Sequence, residues 1–161
     1  MKEIIVIAHN IRSTHNVGSI FRTAEGFGVT KLILSGYTPA PHFSGDTRLP
    51  HISDKLAAQI HKTALGAETI VPFEVQEFPN LTQLTQAGYH VVGLEQDPRS
   101  ISLSSFDAPE KIALIIGEEV EGIAEALRSQ CETILEIPMS GKKESFNVSV
   151  ATGIALYALT T

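Results

Sequence analysis

The sequence predicts an α/β fold, a parallel sheet covered by helices on both faces, formed by residues 1–161 as a single domain. Three observations lead there. Short apolar, β-rich runs recur at Ile4–Ala8, Lys31–Ser35, Thr69–Phe73, His90–Leu94, Lys111–Ile116 and Thr133–Ile137. Patterns of helical period lie between most of them, the alternation that builds a parallel sheet with both faces buried. The length suffices for one substantial core and suggests no second one.

The first strand follows Met1, Lys2 and Glu3, a charged start without the apolar region and small-residue cleavage site of a signal peptide. After it, Val17, Ile20, Phe21, Ala24 and Phe27 form one stripe of a helix, with Asn16 as its expected N-cap and Gly28 as its stop. Arg22 falls off that stripe, toward solvent or a partner. Past the second strand, Tyr37–Pro50 is a long connection without regular pattern, the kind that is more often functional than neutral. Its Tyr37, Phe43 and Arg48 form a candidate surface for base stacking and phosphate contact, or else belong to a proline-stiffened surface excursion. The last helix, about Asn147 to Leu159, places Val148, Ala151, Ile154, Ala155 and Leu159 toward a core or an interface. It is apolar nearly all round, so burial on more than one side is expected, for example by a second copy of the chain.

Composition excludes several functions. No apolar run approaches the roughly 20 residues needed to cross a bilayer, and a cytoplasmic protein is expected. The formal charge of −6 argues against a broad nucleic-acid surface relying on long-range attraction, so contact with RNA must be local. Arg12, Arg22, Lys31, Arg48, Lys142 and Lys143 are the cations available for it. Neither a G-x-G-x-x-G after the first strand nor a G-x-x-x-x-G-K-[ST] occurs, which argues against a nucleotide triphosphatase or an ordinary dinucleotide enzyme. The histidines lack metal-ligand spacing, and no metal is expected. The single cysteine, Cys131, permits no internal disulfide and reads as a small buried hydrophobe.

The run Ile137–Ser149 joins the last strand to the last helix through a proline, a glycine turn and a serine near the helix start, exposing several backbone N–H groups at one point. In open parallel sheets, ligands bind beyond the carboxyl ends of the strands. The loops after Val92–Glu95, Ile115–Glu118 and Ile137–Met139 are therefore expected to converge on one crevice.

At these residues the chain resembles the SpoU (TrmH) branch of the SPOUT superfamily, knotted RNA methyltransferases that use S-adenosylmethionine. Three ordered motifs carry the resemblance along essentially the whole chain. Asn10–Ala24 contains Asn16-Val-Gly18-Ser-Ile-Phe-Arg22, similar to the family's N-x-G-x-x-x-R signature; Ile116–Ile123 contains Gly117, Glu119 and Gly122; Ile137–Ala151 contains Met139, Gly141, Ser145 and Asn147. The resemblance implies a SPOUT methyltransferase fold with a deep C-terminal trefoil knot, and a homodimer in which Arg22 of one subunit lies near the cofactor of the other. It makes Arg22 the catalytic arginine, Asn16 its motif partner, and Glu119, Ser145 and Asn147 active-site residues. Leu94, Gly117, Ile137, Met139, Ser145 and Phe146 would line the cofactor pocket. The implied reaction is methylation of a ribose 2′-hydroxyl of tRNA or rRNA. The alternative is a noncatalytic RNA-binding or ribosome-assembly module retaining the fold; base methylation fits the arginine motif less well. One departure is Glu118, where many relatives carry asparagine: a carboxylate there is expected to repel RNA phosphate or to alter cofactor contacts. Without the resemblance, Arg22 reads as a solvated helix arginine, Asn16, Ser145 and Asn147 as capping groups, and Glu119 as a residue favoured by a helix dipole.

Overall fold

The computed structural model describes all residues, Met1–Thr161. Seven strands form one sheet: β1 (Glu3–His9), β2 (Lys31–Ser35), β3 (Phe73–Gln76), β4 (His90–Leu94), β5 (Ile101–Ser102), β6 (Lys111–Ile116) and β7 (Thr133–Glu136). Their order is β3-β2-β1-β6-β4-β7-β5 and every pairing is parallel. Helices α1 (Thr14–Gly26), α2 (Pro50–Ala64), α3 (Leu81–Gln86), α4 (Glu125–Arg128) and α5 (Val148–Thr160) lie on its faces.

Side chains alternate across a strand, and here both sides of the alternation are apolar. Ile4, Val6, Ala8, Leu32, Leu34, Ile112, Leu114 and Ile116 join the larger core with residues of α1, α2 and α5. Ile5, Ile7, Ile33, Val91, Ala113 and Ile115 join the smaller one with Leu81 and Leu84 of α3 and Leu127 of α4. The sheet is thus the middle layer of an α/β/α sandwich. No helix is long and apolar enough to cross a membrane.

Three local expectations need correction. The third strand does not occupy Thr69–Phe73: Ala67–Thr69 forms a 3-10 turn, and pairing with β2 begins where Pro72 offers its carbonyl to the Leu32 N–H. Proline has no N–H to give a ladder, so regular pairing follows it rather than includes it. The cap of α1 is Ser13, whose hydroxyl accepts from the Asn16 N–H at 3.2 Å. Asn16 therefore sits inside the first turn with its side chain free for other work.

The third correction concerns the 37–49 loop. The Arg48 guanidinium lies 5.1 Å from the Phe43 ring centroid and donates to the carbonyls of Ala40 and Pro41 and to the Asp46 carboxylate. Its donors are spent holding the loop, which removes Phe43 and Arg48 as an RNA surface; Tyr37 alone remains exposed. The Arg48 hydrogen bond is the main cause that holds the Asp46 carboxyl down at about 2, against an ordinary 3.8. A folded value below the unfolded one means the contact stabilises the loop above about pH 4 and is lost as pH falls toward 2. Following the Asp46 carboxyl carbon by NMR should give a midpoint near 2, moving up toward the ordinary value in Arg48→Ala.

Cys131 is half-buried against the smaller core, and burial pushes its thiol up to about 11, as suits an unreactive packing residue.

Candidate active site

The carboxyl ends of β6, β4 and β7 are neighbours in the sheet, and the loops leaving them enclose a cleft of about 370 Å³. The first loop supplies Leu94, Glu95 and Gln96, the second Gly117–Gly122, and the third Ile137, Met139 and Glu144–Phe146. The convergence expected from strand ends is therefore present. All six residues expected to line a cofactor pocket, Leu94, Gly117, Ile137, Met139, Ser145 and Phe146, border this one cleft.

Two glycines make the cleft possible. A Cβ on Gly117 would meet the backbone of Gly122 and Ile123 at 2.6 Å, so only hydrogen lets the two ends of this turn approach. Gly122 adopts φ 71°, and a Cβ there would strike the Glu95 carboxylate, whose Cδ would lie at 2.8 Å. Glu95 uses that approach: its Oε2 accepts from the Ile123 N–H at 2.7 Å and its Oε1 from the Gln96 N–H at 3.1 Å. It clamps the second loop to the end of β4, and Gln96 donates to the Glu144 carbonyl at 2.7 Å, tying the third loop to the first. Sequence reasoning placed Glu95 at a strand end but did not find this clamp, since the signal was only a carboxylate directly after a strand.

Glu118 is 7 % exposed, and its carboxylate is turned to its own backbone. It accepts from the Glu121 N–H at 2.9 Å, while its carbonyl accepts from the Gly122 N–H at 2.8 Å. This side chain thus closes a turn at the edge of the cleft, with its carboxylate still beside it.

Three of the five expected catalytic residues form one hydrogen-bonded chain at the cleft's edge. Asn16 Nδ2 donates to Glu119 Oε1 at 2.6 Å, and Asn147 Nδ2 donates to Asn16 Oδ1 at 3.2 Å. Asn147 Oδ1 then caps α5, accepting from the Ser149 N–H at 2.9 Å and the Val150 N–H at 3.4 Å. The assignment is self-consistent: a carboxylate only accepts, so Asn16 must present its NH₂ to Glu119, which turns its oxygen toward the NH₂ of Asn147. First helix, central loop and last helix are joined by amide side chains more than 100 residues apart in sequence. One carboxylate oxygen of Glu119 is held by Asn16 and the other has no protein partner.

Ser145 borders the cleft and is exposed. Arg22 is not brought to the cleft by its own chain. It is exposed, makes no ion pair, and borders a separate open concavity with Ser19, Thr23, Gly26, Phe27, Lys62, Thr63 and Leu65. Lys62 was missed in the sequence because 40 residues separate it from Arg22. No group of three metal-ligating side chains comes together anywhere in the chain.

With this geometry in view, the chain can be compared with known proteins. Residues 3–157 match the model of the SpoU rRNA Methylase family. The 23S rRNA (guanosine-2′-O-)-methyltransferase RlmB of Nitrosomonas europaea is 31 % identical over 156 residues, which cover 96 % of this chain and 54 % of that protein. The tRNA (guanosine(18)-2′-O)-methyltransferase of Aquifex aeolicus is 26 % identical, covering 97 % of this chain and 68 % of that protein. The chain thus spans about half the length of the first of these relatives and two thirds of the second. The AdoMet-bound rRNA methyltransferase of Sinorhizobium meliloti superimposes with a TM-score of 0.79 at 23 % identity, over 98 % of this chain and 55 % of that one, a likeness of fold.

Proposed function

Because this chain belongs to the SpoU rRNA Methylase family of the SPOUT superfamily, we propose that it transfers a methyl group from S-adenosylmethionine to a ribose 2′-hydroxyl of tRNA or rRNA. The observation that carries the reading is the Asn16, Glu119 and Asn147 chain at the rim of the three-loop cleft. A packing role would not require three amide or carboxylate side chains, from three distant segments, to be bonded together in a half-exposed position.

The cleft suits this cofactor chemically. Leu94, Ile137, Met139 and Phe146 offer apolar contact for an adenosine, and the Gly117 turn brings backbone close where a side chain would fill the space. Glu95, Glu118, Glu119, Glu121, Glu136 and Glu144 border it against Arg128 alone, a balance that favours a cationic ligand. Bound there, S-adenosylmethionine supplies an electrophilic methyl group that needs no further activation.

The protein's remaining task is to align the hydroxyl and ease loss of its proton. Alignment of bound reactants can contribute roughly 7–11 kcal/mol. Arg22 carries N–H donors and no acceptor, so it holds the neighbouring phosphate and stabilises developing alkoxide charge rather than accepting a proton. The free oxygen of Glu119, a phosphate oxygen or water takes the proton. Ser145 and Asn147 orient the ribose and the loop around it.

Arg22 reaches a cleft only from a second subunit, and a homodimer is part of this proposal. The stripe Val150, Ile154 and Tyr157 on α5 supports it: Val150 is 50 % and Tyr157 62 % exposed, an apolar face on a helix beside α1. The C-terminal trefoil knot belongs to the proposal too. We place the activity in the cytoplasm.

Incubation with total tRNA or rRNA and labelled S-adenosylmethionine, followed by nuclease digestion and mass spectrometry, should yield a 2′-O-methylated nucleoside. Cofactor binding without ribose methylation of any RNA overturns the proposal.

A further inference from the structure

We infer that the exposed face of α2 is a rail for the RNA backbone, with Lys62 as the positioning residue that hands the strand to Arg22. This rests on the methyltransferase reading and adds a surface that the three motifs do not contain.

The observations begin with helical spacing. His51, Lys55 and Lys62 are related by steps of four and seven residues, so they share one stripe of α2, and all three are exposed. Seven residues at 1.5 Å put about 10 Å of helix axis between Lys55 and Lys62. Neither lysine is ion-paired, and the stripe carries no carboxylate. Nearby acids are engaged elsewhere: Asp54 lies 3.0 Å from His42, and Glu68 lies 2.6 Å from His61. In a chain of net charge −6, such an acid-free stripe is a local feature that composition did not require.

The stripe ends at the right place. Lys62 borders the same concavity as Arg22, on whose wall the Ser19 and Thr23 hydroxyls have no protein partner. Glu25 shares the α1 surface with Arg22 but forms no ion pair with it. Two cations and two free hydroxyls around an open hollow fit a phosphodiester, which accepts hydrogen bonds and carries charge. An RNA strand lying along α2 would place successive phosphates on Lys55 and Lys62 and the target ribose at Arg22.

Fluorescence anisotropy with a labelled, unfractionated tRNA pool, repeated over a range of salt, tests this. Each phosphate contact steepens the dependence of log affinity on log salt by about 0.7–0.9. Lys62→Ala and Lys55→Ala should each flatten the slope by nearly one unit, and Lys62→Glu should weaken binding further. Lys31→Ala, whose lysine is paired with Glu74 at 2.8 Å, should not change the slope. In the methyl-transfer assay, Lys62→Ala should raise KM for RNA while kcat and cofactor affinity stay unchanged. A wild type that binds and methylates RNA while the Lys62 variants keep its slope and KM overturns the rail and leaves the activity standing. A wild type that binds no RNA overturns both.

Discussion

Arg22→Ala is expected to lower kcat/KM for ribose methylation by about 10²–10³-fold, the usual cost of removing one donor from developing oxyanion charge. Cofactor affinity should change little, because the role given to Arg22 is to hold phosphate and alkoxide, while the residues that border the cleft hold the cofactor. Arg22→Lys keeps the charge but loses the fork that can hold a phosphate and an alkoxide together, so it should recover only part of the loss. Near-wild-type activity in Arg22→Lys would refute that role. A complementation experiment separates the site's two halves. Glu119→Ala removes the carboxylate bonded to Asn16 on the cleft side, and Arg22→Ala removes the cation on the other. If each site takes its arginine from the partner subunit, co-expressed Arg22→Ala and Glu119→Ala chains should regain activity that neither has alone. Failure of every mixture, with both chains folded, would place Arg22 and Glu119 in the same-subunit site or outside any site.

The second large effect is on stability. Gly18→Ala should lower Tm by roughly 4–8 °C, since a domain of this size moves about 2–4 °C per kcal/mol. A Cβ at Gly18 would strike Thr63 Oγ1 and the Ile60 carbonyl and would lie 2.9 Å from Ala64 N, all on α2. These are mostly backbone atoms of a packed helix, which cannot rotate away. The cost should fall at or above the top of the ~1–3 kcal/mol usual for overpacking, more than the ~1 kcal/mol that alanine gains over glycine in a helix. Gly26, on the same helix, has nothing within 4 Å of its would-be Cβ, so Gly26→Ala should be neutral or slightly stabilising. Thermal melts of the two variants should therefore move in different directions; a Gly18→Ala protein as stable as wild type would show that α1 and α2 can separate freely.

Gly18 also shows how much could be read in advance. Its place in the N-x-G-x-x-x-R motif was legible, but the reason for glycine was not, because the clash involves residues about 40 positions later. Strands at Lys31–Ser35, His90–Leu94 and Lys111–Ile116 were legible because a polar residue opens each one and a short, proline-free apolar run follows it. The third strand was misread because Thr69–Phe73 has the right composition but contains the donorless Pro72, and β5 was missed because two residues carry no period. Arg48 and Phe43 had the chemistry of an RNA surface, yet the loop spends both on its own folding. Asn16 looked like a cap until Ser13 took that role and freed it for Glu119.

By itself the sequence determined the α/β class and the strand ends where a ligand cleft forms, since those depend on local periodicity, while the family resemblance implied six of the residues that border it. Only the tertiary structure decided that Asn16, Glu119 and Asn147 are bonded to one another, that Glu118 turns inward, and that Lys62 stands beside Arg22. The physical reason is common to all three: hydrogen bonds and fields act across a few ångströms of space, and folding brings together in that range groups that the chain keeps up to 131 residues apart.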